Sequence, residues 1–176
     1  MKKIFLLLFV FSLLGCEKDD ICDANTPTTP RLVIEFYDFN ASTETLKNVT
    51  KLKVKSDDVA EGIVFNESIT DANRYLSNSS KIFIPLKTTD VTTKYNFTHN
   101  FGVAGSENTD ILEFKYTKQD FYISRACGFK TLFTLNPTNP IVTTEPFNSP
   151  SSWIKNIVIV KANLENENEV HVKIFF

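Results

Sequence analysis

From Arg31 onward the chain is a series of short runs in which apolar side chains recur at every second position, and that period of two predicts β-strands. Leu32, Ile34 and Phe36 alternate with Val33, Glu35 and Tyr37 immediately after Pro30. Leu52 and Val54 alternate with Lys51, Lys53 and Lys55, giving one dry face and one solvated face. Successive side chains of a strand point to opposite sides, so each such run describes a half-buried strand. Ile82, Ile84 and Leu86 make another, with Pro85 pointing to a sheet edge or bulge. Tyr95, Phe97, His99 and Phe101 share one parity, and Leu112, Phe114 and Tyr116 share another. Phe121, Ile123, Arg125, Cys127 and Phe129 read as one face, continued by Thr131 and Phe133. Residues 157–160 form a continuous apolar run, as expected for a strand covered on both sides. Val170, Val172, Ile174 and Phe176 close the chain with clean alternation.

The composition agrees with that reading. Sixteen Phe accompany many Val, Ile, Thr and Asn, with five Gly and one Met. Aromatic and β-branched residues suit a pleated surface, and Asn and Thr suit turns and edges. Turn signals fall at residues 56–58, 77–80, 105–108 and 163–168, and only residues 68–76 could form a short helix or turn. Many short strands spaced about ten residues apart predict an all-β fold. The expected form is an antiparallel β-sandwich, immunoglobulin-like or a related Greek key, with at most one short helix. Residues 136–152 carry four prolines and are too long for a hairpin connection, which marks a loop more often functional or mobile than neutral.

The N-terminus has a different character. Lys2 and Lys3 precede an apolar run from Ile4 to Leu14, which ends in Leu13-Leu14-Gly15-Cys16. The run is shorter than the roughly 20 apolar residues that span a bilayer, so it reads as a cleaved targeting segment. Its ending resembles a bacterial lipoprotein lipobox. That resemblance implies cleavage between Gly15 and Cys16, with Cys16 acylated on its sulfur and on its new amine. The organisation expected is a signal peptide at 1–15, a lipidated tether at 16–30 and one β-sandwich domain at 31–176. Loss of Lys2 and Lys3 lowers the 19 basic residues to 17, against 21 acidic ones, a formal charge of −4. Such a chain offers no basic footprint for nucleic acid or anionic lipid. The tether opens Glu17-Lys18-Asp19-Asp20, and Lys18, Asp19 and Asp20 resemble the export signal that sends Bacteroidota lipoproteins to the cell surface. The predicted location is the outer membrane, with surface display favoured over the periplasmic face.

With Cys16 assigned to lipid, Cys22 and Cys127 remain. In an exported chain a disulfide is the default reading, closing a loop of roughly a hundred residues. A redox or catalytic thiol pair and a pair of metal ligands are the competing assignments. There is no CxxC motif, and only His99 and His171 could complete a metal set.

Other chemistry is thinly signalled. Neither His99 nor His171 has an adjacent acid or nucleophile in a recognisable motif. His171 falls opposite the apolar parity of the last strand and is expected to be solvated. The acids at 57–58 and 165–169 could bind calcium, and Glu165, Glu167 and Glu169 alternate, but calcium loops usually carry a Gly for the bend, and an Asn-Glu repeat in a turn is ordinarily just solvated. Phosphate loops, nucleophile elbows and zinc-binding HExxH helices are absent. The terminal His171-Val172-Lys173-Ile174-Phe175-Phe176 invites comparison with the last strand of an outer-membrane barrel, but a lipid anchor would be redundant there and Lys51, Lys53 and Lys55 share a face. Arg125 sits on the apolar parity near Cys127 as a strand-edge residue, a buried partner for an acid such as Glu35, or a ligand contact. Phe147 and Trp153 flank the end of the proline-rich loop, as binding anchors or as side chains holding the loop down.

Four stretches, Cys16 to Cys22, Thr26 to Asp38, ISRACGF at 123–129 and HVKIFF at 171–176, together resemble an uncharacterised family of small Bacteroidota lipoproteins, DUF6452-like. The resemblance implies a lineage, a lipid anchor and a paired-cysteine layout, and it carries no activity. The function expected is that of a non-catalytic binding or assembly module, without cofactor or metal, that engages an outer-membrane protein. Capture of a glycan or small ligand at the cell surface is the alternative, and a hydrolase is third.

Overall fold

Two β-sheets stack face to face and close a core built almost wholly from the alternating residues. The computed structural model describes residues 21–23, 26, 28–146 and 149–176. Among them, one sheet contains β1 (Leu32–Tyr37), β4 (Lys81–Ile84), β9 (Asn156–Ile159) and β11 (Val172–Phe175), in the order β4-β1-β11-β9. The other contains β2 (Leu52–Ser56), β3 (Leu76–Ser77), β5 (Thr92–His99), β6 (Asn108–Ser124), β7 (Gly128–Leu135) and β10 (Asn163–Leu164), in the order β10-β7-β6-β5-β2-β3. A short strand β8 (Ile141–Thr143) joins β6 beside them. The all-β sandwich expected from the sequence is therefore the fold. Pairing is antiparallel except between β1 and β11, which run parallel with Ile34 beside Val172.

The core follows the predicted parity. Leu32, Ile34, Phe36, Leu52, Val54, Phe97, Leu112, Phe114, Val172 and Ile174 are fully buried. Phe97 packs on Phe114 at 6.4 Å between ring centres, and Tyr116 meets Phe133 edge-on at 5.2 Å. Burial of each such ring contributes on the order of 2–3 kcal/mol. Buried hydroxyls are partnered: Tyr116 Oη donates to the Lys87 carbonyl at 2.8 Å, and Tyr95 Oη to the Pro85 carbonyl at 2.5 Å. Pro85 directly follows β4, which is an edge strand, as its ring requires. The short helical stretch is a single 3₁₀ turn, Ala72–Tyr75, capped by the Asp71 carboxylate.

Four local expectations are corrected. The run 121–133 is not one strand. It is the end of β6, a turn at residues 125–127 and the start of β7. The turn reverses parity, so Phe129 shares a face with Tyr122, not with Phe121. Gly128, at φ 69°, supplies the left-handed residue that the turn needs. The run 157–160 is an edge strand with Val158 and Val160 exposed, and not a doubly covered one. Residues 136–152 are not all loop, because β8 pairs with β6 at Leu112–Phe114 and Ile141 packs against the core.

The fourth correction is His171, which is completely buried rather than solvated. Extending the β1–β11 register back one residue sets His171 beside Val33, and Val33 is also fully buried. The sheet is thus covered on both faces at that end. The Val33 N–H donates to His171 Nδ1 at 2.9 Å, so the ring must be neutral, with its proton on Nε2. Burial holds its pKa below the ordinary 6.5; Lys161 adds to the depression, and Glu169 and Glu167 oppose it. A base whose folded pKa is depressed binds its proton more readily when unfolded. Stability should therefore fall as the pH drops from 6.5 through that lowered value. Denaturant titrations at pH 7.5 and pH 5 would show the loss. In His171→Asn, whose Oδ1 can take the Val33 N–H, only the share due to His99 should remain. An unchanged pH dependence would refute this role for His171.

Candidate functional site

The long strand β6 outruns the opposing sheet. Its first half pairs with β5 and lies over the core, whereas from Lys118 onward it pairs only with β7. Lys118, Gln119, Asp120, Phe121 and Tyr122 are all exposed. The two strands therefore project as a hairpin arm, with residues 125–127 at its tip.

The N-terminal segment is fastened to this arm as a strap. Cys22 and Cys127 form a disulfide, with Cα atoms 4.9 Å apart. Further along, the Thr131 N–H donates to Thr29 Oγ1 at 2.9 Å. Thr29 thus lies beside β7 where β10 no longer pairs with it, since β10 reaches only Phe133 and Thr134. Covering that edge satisfies a backbone donor and blocks strand addition there. The strap then enters β1 through Arg31, whose guanidinium forks onto Glu167. Arg31 Nε lies 2.8 Å from Oε1, Nη2 lies 2.6 Å from Oε2, and the Arg31 N–H also reaches Oε1 at 2.9 Å. This fork holds the Glu167 carboxyl below its ordinary range. Disulfide, edge hydrogen bond and ion pair fix the strap at three points.

Open grooves gather around the same arm. One of about 530 Å³ lies between strap and arm, lined by Thr26, Thr29, Ile123, Phe129 and Lys130 among others. Another, of about 260 Å³, lies on the outer face by Gln119, Phe121, Leu132, Asn163 and Glu165. Three large side chains stand out into solvent here: Phe121 is 37% exposed, Tyr122 58% and Phe129 68%. Tyr122 and Phe129 meet edge-on at 5.3 Å. Neither the projection nor its two-sided aromatic character is visible in residue spacing alone. The one sequence signal is the unbroken β pattern from 109 to 135 with Gly128 inside it.

The other predicted residues separate. Gly15, Cys16, Lys18, Asp19, Asp20 and Phe147 lie outside the described residues. Arg125 is exposed in the tip turn, so it is not on an apolar strand face, and it is not the partner of Glu35. Glu35 instead takes Lys81 at 2.7 Å and the Tyr37 hydroxyl at 2.8 Å. Trp153 is not an exposed anchor: it is 8% exposed, and its Nε1 donates to the Phe97 carbonyl at 2.9 Å. The indole stacks on His99 at 5.0 Å and meets Phe176 edge-on at 5.5 Å. It holds the loop end down, one of the two roles open to it.

His99 sits beneath this indole, half-buried. Burial first, then Lys47, pushes its pKa down. Lys47 Nζ itself lies over the Phe176 ring at 4.6 Å and donates to the Phe176 backbone oxygen at 3.0 Å. The ring contacts of His99 are aromatic, and no carboxylate bonds to it among the described residues. Acids from the two clusters weighed for calcium are engaged by bases: Asp58 by Lys87, Glu167 by Arg31 and Glu169 by Lys161. Among the described residues no group of three His, Cys, Asp or Glu side chains could hold a metal ion, and no helix is long and apolar enough to cross a membrane.

The arrangement defines a β-sandwich domain whose N-terminal strap is covalently fastened to a projecting hairpin. The chain belongs to a family of unknown function, DUF6452, whose family model matches residues 51–176. The match takes in the arm and Cys127, and it begins after Cys22 and β1. No curated protein and no solved structure matches the chain.

Proposed function

We propose that this protein is a non-catalytic binding or assembly module, held at the outer membrane of a Bacteroidota cell by a lipid on Cys16, that engages an outer-membrane protein. The observation that carries the reading is the Cys22–Cys127 disulfide. A bond six residues from the acylated cysteine transmits the anchor to the arm rather than to the end of a loose tether. That arrangement serves a domain that must be held in place against something, and it adds nothing to turnover of a soluble substrate. Lys18, Asp19 and Asp20 would direct the domain to the cell surface. The half-buried setting of His99 among aromatic rings and the pairing of the acids with bases likewise favour binding over catalysis.

The test is affinity capture of the tagged, full-length lipoprotein from detergent-solubilised outer membranes. A stoichiometric outer-membrane protein partner is the expected result. Absence of any partner, together with saturable binding to a glycan array, would replace this reading with ligand capture.

A further inference from the structure

We infer that the tip of the β6–β7 arm lies in the headgroup and upper acyl-chain region of the bilayer to which the chain is anchored, and so sets the orientation of the sandwich on the membrane. The inference rests on the lipid anchor at Cys16 and goes beyond it, because an anchor alone leaves the domain free to rotate on its tether.

Three observations carry it. The first is distance. Cys22 lies six positions after Cys16, at most about 20 Å of extended chain, and the disulfide then passes directly to the tip. Among the described residues, no other part of the sandwich is tied covalently so close to the acyl chains. The second is the distribution of apolar surface. In the β6–β7 register Phe121 faces Lys130 across one side of the arm, and Tyr122 faces Phe129 across the other. All three aromatic side chains are exposed. A protein partner docked on one face would cover only part of this set. A medium that surrounds the tip covers all of it, and aromatic rings are the side chains enriched at membrane interfaces.

The third is charge. The outer arm carries Arg125 and Lys130 against Asp120, while Lys118 stands at its base and donates to the Thr88 carbonyl. Asp120 accepts from the Thr131 hydroxyl at 2.6 Å, and Asp23 of the strap lines the groove beside Phe129 and Lys130. The tether fastened to the tip adds Glu17, Asp19, Asp20 and Asp23 against Lys18, so what the tip offers phosphate headgroups is the individual long side chains of Arg125 and Lys130 and not a net positive charge. Long basic side chains can also keep their charge among headgroups while their stems lie in the apolar layer.

The experiment uses the full-length lipidated protein in vesicles of phosphatidylethanolamine and phosphatidylglycerol. Tyr122→Trp places a fluorophore at the tip, and native Trp153, sealed in the core, is the internal control. Phospholipids brominated high in the acyl chain should quench the added indole and blue-shift its emission, while wild-type emission stays unquenched. Separately, unlipidated Cys16→Ser protein should float with the same vesicles, and Tyr122→Ser/Phe129→Ser should reduce that partitioning by about tenfold or more. Both side chains are exposed, so neither change should unfold the domain. Acylated Tyr122→Trp protein that co-floats with vesicles but leaves the added indole unquenched would overturn the tip placement alone. A protein crosslinked at the arm in native membranes, without quenching, would assign the arm to a protein partner and overturn it too. Absence of acyl mass on Cys16 would overturn the anchor, and this inference with it.

Discussion

Replacing Cys127 by serine is expected to lower the stability of the domain by about 4 kcal/mol, the largest loss of any single change outside the core. The disulfide spans a sequence separation of 105 residues, reaching from the strap, across β1 to β6, to the start of β7. In the chain-entropy account, a link over roughly 100 residues removes about 4–5 kcal/mol of freedom from the unfolded state. The sandwich itself should still form, because its core lies in β-pairs that do not need the bond. Cys22→Ser should cost the same as Cys127→Ser, and the double variant no more than either, since all three delete one interaction. Urea denaturation under oxidising conditions measures this. The arm should also lose hydrogen-exchange protection at the Thr131 amide, because its strap partner Thr29 is then held by one fewer fixed point. A loss below about 1 kcal/mol for each variant would mean that the strap is an ornament of the fold and not a mount.

The second large effect is expected at Asp110. This carboxylate is 4% exposed, and its Oδ2 accepts the Ile154 N–H at 2.8 Å and lies 2.8 Å from the Ser152 hydroxyl. It is the post that holds residues 152–154 after the proline-rich excursion. Asp110→Ala leaves a buried backbone donor without an acceptor and opens space beside Leu112 and Ile154, for a cost of about 3 kcal/mol. The effect should be felt at Trp153, whose indole covers His99 and Phe176. Its fluorescence should shift to the red in the native baseline of Asp110→Ala. Asp110→Asn keeps an oxygen for Ile154 and should recover most of the stability. The Oδ1 atom of Asp110 has no hydrogen-bond partner among the described residues, so the second amide position neither gains nor breaks a bond there. Equal losses in the two variants would contradict this account of the post.

Alternation locates β2, β5 and the first half of β6, because each has one face on the core and a period-two pattern reports such a face directly; it also marks β1 and β11, whose outer faces are partly covered as well. It fails at the residues whose burial is not one-sided. His171 falls on the outward parity of the last strand, yet it is enclosed with Val33, and sequence spacing has no signal for an outer face that the rest of the fold covers. Residues 157–160 look doubly covered, but a short apolar run is compatible with an edge strand, and here it is one, flanked by Lys155 and Lys161. The arm is hidden for a different reason. Its turn at 125–127 contains no proline and has Gly128 only at its exit, so a parity count runs through it and places Phe129 with Phe121. The pairing of Cys22 with Cys127 is expected from cysteine number once the N-terminus is read as a targeting segment. What that pairing fastens is clear only once β6 and β7 are seen to leave the sandwich. Trp153 reads from sequence as either anchor or weight, and the Phe97 carbonyl decides for the weight.

The most direct test of the mounting is the covalent map of the mature protein extracted from membranes. Cleavage at arginine under non-reducing conditions cuts after Arg31, Arg74 and Arg125. It should yield residues 16–31, carrying the acyl mass on Cys16, linked to residues 126–176 as one species that reduction separates. Residues 16–31 recovered without acyl mass, or the two fragments recovered apart before reduction with free thiols on Cys22 and Cys127, would contradict the account.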